Sequence, residues 1–202
     1  MTRILVVKTI QSGAFKVLAE SLKELLDDVN IEFREHKKGD SKSKGGIRIM
    51  AMNNKKTVLI HLKLNAKNFE EFICLRPKIT IGVNMLHFFK LIKTMDTSSV
   101  LTLFIDSDDT SKLGIKIENA EKKQITIYKL GLMDLDNEQL EVPPTSFDAV
   151  ITMPSTDFHK LCRDMNHISE FIEIQNAGKS VILKGTGDIA EQETILGETI
   201  NR

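Results

Sequence analysis

A chain of 202 residues with 41% hydrophobic and 28% charged side chains has enough length and apolar content for one large domain or two small ones, which excludes disordered and fibrous classes. Basic and acidic residues number 28 each, so the formal charge cancels and affinity for a polyanion must come from where the cations sit. Two distant cysteines, Cys74 and Cys162, lack any CxxC spacing; this excludes a disulfide framework and a zinc site, and both read as small core residues of a reducing compartment.

At the amino terminus Arg3 precedes an apolar run of about five residues, too short for a secretory signal. No stretch reaches the roughly 20 apolar residues that would span a bilayer, so a soluble intracellular protein is expected. Phe15, Leu18, Leu22, Leu25 and Leu26 recur at helical spacing after Ser12, a candidate N-cap, and predict an amphipathic helix from 12 to about 28. Lys16 and Lys23 lie off its apolar stripe. Extended runs follow at Ile31 to Phe33, Ile47 to Met52, Val58 to Leu64 and Phe69 to Cys74. Residues 35–46 are polar, Gly-rich and basic and read as a mobile hairpin loop, either a solvated insertion or a surface for nuclear import or DNA.

A second helix is expected from about Asn84 to Met95, with Met85, Phe88 or Phe89 and Ile92 spaced for burial. Strands are expected at Val100 to Ile105, Leu113 to Ile117 and Gln124 to Leu130. Asp106, Asp108 and Asp109 read as a solvated hairpin tip, because the Gly and terminal Glu of a calcium loop are missing. From Asp134 to Ser146 the chain is poor in apolar residues and holds the adjacent Pro143 and Pro144, so it reads as an extended linker and a domain boundary.

Beyond the linker the pattern starts again. Thr9, Ser12, Phe15 and Leu18 recur at equal offsets as Thr152, Ser155, Phe158 and Leu161, and residues 88–93 echo 158–163. Three strand-then-helix units imply duplication of one helix-on-sheet module, which favours rings and arrays over a single cleft. In two of the helices the cations Lys90 and Lys93, and Lys160 and Arg163, stand three residues apart on one face. Such pairs either solvate an exposed face or, if symmetry brings several helices together, meet phosphates without reading bases.

The stretch LMDLDNEQLEVP at 132–143 resembles the interdomain connector of the proliferating cell nuclear antigen family, and residues 153–168 resemble the first helix of that family's second domain. SLKELL at 21–26, IGVN at 81–84 and MAMNN at 50–54 add weaker matches in the same order. The resemblance implies an α+β fold, a duplicated helix-on-antiparallel-sheet DNA clamp. Its first domain would span 1–131, the connector 132–146, and the second domain 147–202, incomplete because the family's second domain continues past residue 202. It further implies a homotrimeric ring, with helices lining a hole for duplex DNA and sheets outside, that tethers DNA polymerase and other replication or repair proteins, is opened by a clamp loader, and catalyses nothing.

By motif position, Lys16, Lys23, Lys90, Lys93, Lys160 and Arg163 fall on the DNA-facing helices. Met52, Leu59, Leu140, Val142 and Pro143 fall where clients carrying a short hydrophobic and aromatic motif bind. The subunit contacts match Ile125, Ile127 and Tyr128 on one edge strand, and Thr194, Ile195 and Leu196 on another at Glu193 to Glu198. No cofactor or metal is implied, and the expected location is the nucleus or a viral replication compartment. The basic insertion at 35–46 has no counterpart in the family pattern and suggests a divergent, viral type of member. A monomeric clamp-like scaffold that binds client peptides without closing a ring is the alternative.

Overall fold

The computed structural model describes residues 2–36, 45–136, 140, 146–147 and 149–197. The chain forms two compact units, residues 1–141 and 142–202. In the first, the order is β1 (Arg3–Thr9), α1 (Ser12–Leu25), β2 (Asp28–Arg34), β3 (Gly46–Met52), β4 (Leu59–Asn65), a short 3-10 turn (Ala66–Asn68), β5 (Glu71–Cys74), β6 (Lys78–Asn84), α2 (Met85–Ile92), β7 (Val100–Asp106), β8 (Asp109–Asn119) and β9 (Gln124–Gly131). These strands make two antiparallel sheets, ordered β5-β1-β7-β8-β9 and β4-β3-β2-β6. Alternation explains most of both, although Leu5 to Val7 of β1 and Leu101 to Asp106 of β7 are buried without a break. Val29, Ile31 and Phe33 of β2 and Ile47 and Ile49 of β3 turn inward, as do Leu5 and Val7 of β1 and Leu113 and Ile115 of β8. Ala19 and Leu22 of α1, with Met85, Phe88 and Ile92 of α2, pack into the same core. Each large side chain buried there contributes roughly 1.5–3 kcal/mol before entropy is subtracted.

The first helix departs from the sequence reading at both ends. Gln11, with no side-chain bond, holds the N-cap position. Ser12 is instead the first helical residue, fully buried, and its Oγ donates to the carbonyls of Asp96 and Thr97, both at 3.1 Å. The hydroxyl therefore ties α1 to the turn between α2 and β7. The helix stops at Leu25 because Asp28 is already paired with Asn84 in the β2–β6 ladder. α2 starts where expected, with the Asn84 Oδ1 accepting from the His87 amide at 2.9 Å, but ends at Ile92. Strand β6, with Ile79, Ile81 and Val83 inward, is absent from the expected runs except as IGVN.

The acidic tip joins β7 to β8. Asp106 is nearly buried, with Arg3 at 3.7 Å and Lys129 at 3.4 Å. Asp109 accepts from the Ser111 hydroxyl at 2.6 Å and from Lys112 at 2.9 Å, and these bonds hold its carboxyl down at about 2. Cys74 is a buried thiol whose pKa burial raises; Cys162 is only half-buried.

The second unit holds α3 (Ser155–Asn166) and a sheet of β10 (Glu173–Asn176), β11 (Ser180–Thr186) and β12 (Glu191–Gly197), in that order. Among its described residues Met165 and Leu183 are the buried apolar ones, while Phe158, Phe171, Ile174 and Ile189 are exposed. The expected strand before each helix exists for α1 and α2. Residues 149–154 before α3 form none: Val150 and Ile151 are exposed and have no ladder partner among the described residues.

Candidate nucleic-acid interface and connector surface

The six helix cations differ in what they already touch. Lys16 donates to the Met95 carbonyl at 3.3 Å, just beyond α2, where the negative end of a helix favours a cation. Lys23 is mostly covered, its side chain 16% exposed, and its ammonium lies 5.1 Å from the Phe89 ring centroid while pairing with Glu24. The two helices also meet through Phe15 and Phe88, edge to face at 6.3 Å. Lys90 and Lys93 are exposed. On α3, Lys160 and Arg163 are likewise exposed, with the Arg163 Nε 3.9 Å from Asp164. Asp96 anchors the base of the α1–α2 layer: it accepts from Lys122 at 2.7 Å and from Asn119 at 3.0 Å, and the Lys122 bond is the main reason its carboxyl sits below the ordinary range.

The outward face of β4-β3-β2-β6 carries the start of the linker. The Leu132 amide donates to the Ser111 carbonyl and the Met133 amide to the Gly82 carbonyl, both at 2.9 Å. The Asn30 Nδ2 then donates to the carbonyls of Leu135 at 3.4 Å and Asp136 at 3.3 Å. Glycine is required at 82 by close approach, since a Cβ there would lie 2.3 Å from the Met133 carbonyl oxygen. The chain thus crosses from β6 to β2, toward the strands that carry Met52 and Leu59.

Those two are direct cross-strand partners. Leu59 is exposed, and so is Val58 beside it, which the sequence reading does not single out although it adjoins the same turn. Asn53 closes that turn by accepting from the Thr57 and Val58 amides. Leu140 is half-buried. Val142 and Pro143 lie outside the described residues, as do residues 37–44 of the basic loop and Glu198.

Among the strands that end their sheets in the described residues are β9 and β12. β9 ends the five-stranded sheet with Ile125 60% and Ile127 54% exposed, while Tyr128 turns onto the core. β12 ends the three-stranded sheet with Ile195 61% exposed and Thr194 and Leu196 half-buried. Among the described residues no group of three His, Cys, Asp or Glu could hold a metal, and no helix is long and apolar enough to cross a membrane.

Helices laid on antiparallel sheets, with exposed cations on the helices and a linker laid over a strand face, define the architecture of the DNA-clamp class. Residues 4–139 match the profile of the proliferating cell nuclear antigen N-terminal domain, and residues 141–201 that of its C-terminal domain. The chain is 32% identical over 199 residues to the probable DNA polymerase sliding clamp 1 of Paramecium bursaria Chlorella virus 1, covering 96% of this chain and 72% of that one. It is 30% identical over 191 residues to the proliferating cell nuclear antigen of Chaetomium thermophilum, covering 95% and 70%. The crystal structure of proliferating cellular nuclear antigen from Entamoeba histolytica superposes with a TM-score of 0.85 at 26% identity, covering 98% and 75%. The chain belongs to the proliferating cell nuclear antigen family.

Proposed function

We propose that this protein is a DNA sliding clamp, a processivity factor that encircles duplex DNA and tethers replication and repair enzymes without catalysing a reaction itself. The observation that carries the reading is the set of exposed helix cations, Lys90 and Lys93 on α2 and Lys160 and Arg163 on α3, in a chain of this family. Cations on helix faces meet phosphates without reading base edges, which gives the loose, salt-sensitive grip that sliding needs. Lys16 and Lys23 belong to the same proposed surface and contribute less, being already engaged with α2.

Three copies close the ring by pairing β9 of one with β12 of the next through Ile125, Ile127 and Tyr128 against Thr194, Ile195 and Leu196, which removes both exposed edges. A clamp loader opens it. Client polymerases dock a short hydrophobic and aromatic motif at Met52, Leu59, Leu140, Val142 and Pro143, with Val58 added to that patch. The protein works where DNA is replicated, in a nucleus or a viral replication compartment.

The test is retention on DNA. The protein should stay on closed circular duplex and be lost when the circle is cut; equal retention on both forms rejects topological linkage. Changing Lys90, Lys93, Lys160 and Arg163 together to Ala should weaken binding and flatten the dependence of log K on log salt, by about 0.9 for each phosphate that is no longer neutralised.

A further inference from the structure

The outward face of β4-β3-β2-β6 concentrates positive charge at one end. Arg48 on β3 stands opposite Glu32 on β2 and opposite Lys63 on β4. Glu32 is already shared: Arg34 reaches it at 2.9 Å and Lys78 at 3.6 Å. Among the described residues of these strands, from the row of Arg34 to the row of Gly82, Glu32 is the only carboxylate. On the strands themselves four cations therefore surround one anion, while Asp134 and Asp136 of the linker cross the β6 side of the same face. Lys63 faces a like charge directly across the ladder, an arrangement that costs stability. Burial alone would push the Glu32 carboxyl up, yet Arg34, Lys78 and Arg48 together bring it below its ordinary value. His61, two residues along β4, is pushed down by burial and then by Lys63 and Arg48.

At the other end of the same face the sign reverses. Asp28 accepts from Asn84 at 2.7 Å, and Asp27 from Asn54. Met50, paired with His61, lies between the two ends, and the Met52–Leu59 pair lies beside the acidic end, level with Asp28 by the register of β2 and β3. In a chain whose charges cancel overall, this is a directional surface: an apolar patch with a cationic cluster on one side only.

We propose that this surface selects client peptides carrying carboxylates beside their apolar anchor, with the anchor at Met50, Met52 and Leu59 and the acidic residues over Arg48 and Lys63. The proposal rests on the client-docking reading above and adds the charge of the partner. Arg48 is four residues from Met52, a span of about 13 Å along the strand, so the acidic residues lie about four extended residues from the anchor. The apolar pairs argue for a peptide, because a phosphate backbone gains nothing from Met52 or Leu59.

Three labelled peptides with one shared hydrophobic and aromatic anchor, flanked by Gly and Ser, by Asp and Glu, or by Lys, distinguish the two readings by fluorescence anisotropy. The acidic peptide should bind about five- to tenfold more tightly than the neutral one at low salt, and the gap should close near 1 M NaCl, where the screening length is ~3 Å. K63E, on the exposed edge strand, should erase that preference, and R48Q should do so by a change that introduces no new charge. Neutral and acidic peptides binding equally well would overturn the charge selection and leave client docking standing. Binding of neither overturns both. An acidic preference that survives K63E and R48Q, or loss of duplex DNA binding in K63E, assigns the cluster elsewhere and overturns the proposal.

Discussion

Lys16 and Lys23 meet groups of their own protein before they could meet a phosphate. The first caps the exit of α2 through the Met95 carbonyl, and the second lies on the Phe89 ring with most of its surface covered. A cation over an aromatic face and a cation at a helix carboxyl end each stabilise by about 0.5–1 kcal/mol. Replacing both by Met should therefore lower the melting temperature by about 3–6 °C while leaving the salt slope of DNA binding near its original value. A flattened slope with unchanged melting would assign them to DNA instead. Acid should act on a different residue. The Asp109 carboxyl falls from 3.8 in a free side chain to about 2, chiefly through the Ser111 hydroxyl and then Lys112. Its folded value is depressed, so its stabilisation is present above pH 4 and is lost as pH falls toward 2. Melting curves of Asp109→Asn should accordingly change less than wild type between pH 4 and pH 2, and parallel curves would refute the assignment.

The linker is held to the strand face mainly by backbone, and that makes Gly82 the sensitive position of its element. A Cβ there would also press on the Leu135 side chain at 2.9 Å, and the Met133 carbonyl belongs to the backbone bridge with Gly82 itself. Gly82→Ala should cost about 1–3 kcal/mol and loosen residues 132–136, seen as faster proteolysis there than elsewhere in the chain. Uniform proteolysis would mean that the fit tolerates a methyl. The glycine also explains why β6 is hard to read. Ile79, Ile81 and Val83 alternate well, but Pro77 and Gly82 read as breakers, and the reason Gly82 sits within a strand is its approach to Met133, far along the chain. Likewise Ser12 resembles a cap because its acceptors, Asp96 and Thr97, are distant in sequence. Local periodicity makes α1, α2 and most strands legible. Of the site, it reveals the exposed pairs Lys90 with Lys93 and Lys160 with Arg163, but not the engagement of Lys16 and Lys23, nor Val58, nor the cation cluster, which exists only once β2, β3, β4 and β6 are in register.

On the scale of the whole chain, balanced charge and open edges act together. Twenty-eight charges of each sign leave no net repulsion to keep copies apart. β9 and β12 each offer unsatisfied backbone groups beside exposed isoleucine, the feature that proteins ordinarily blunt with charge or proline. Antiparallel addition of one edge to another would satisfy those groups and bury Ile125, Ile127 and Ile195 in one step, so pairing between copies removes a liability that each copy carries alone. Mass in solution should therefore rise with concentration above that of one chain, toward three. Charge on one edge should prevent this without touching the core, because Ile125 and Ile127 point away from it while Tyr128 and Leu130 pack onto it. An Ile125→Asp, Ile127→Asp variant should keep its melting temperature within a few degrees yet sediment as a single chain. A variant that assembles like wild type would show that copies meet through some other surface.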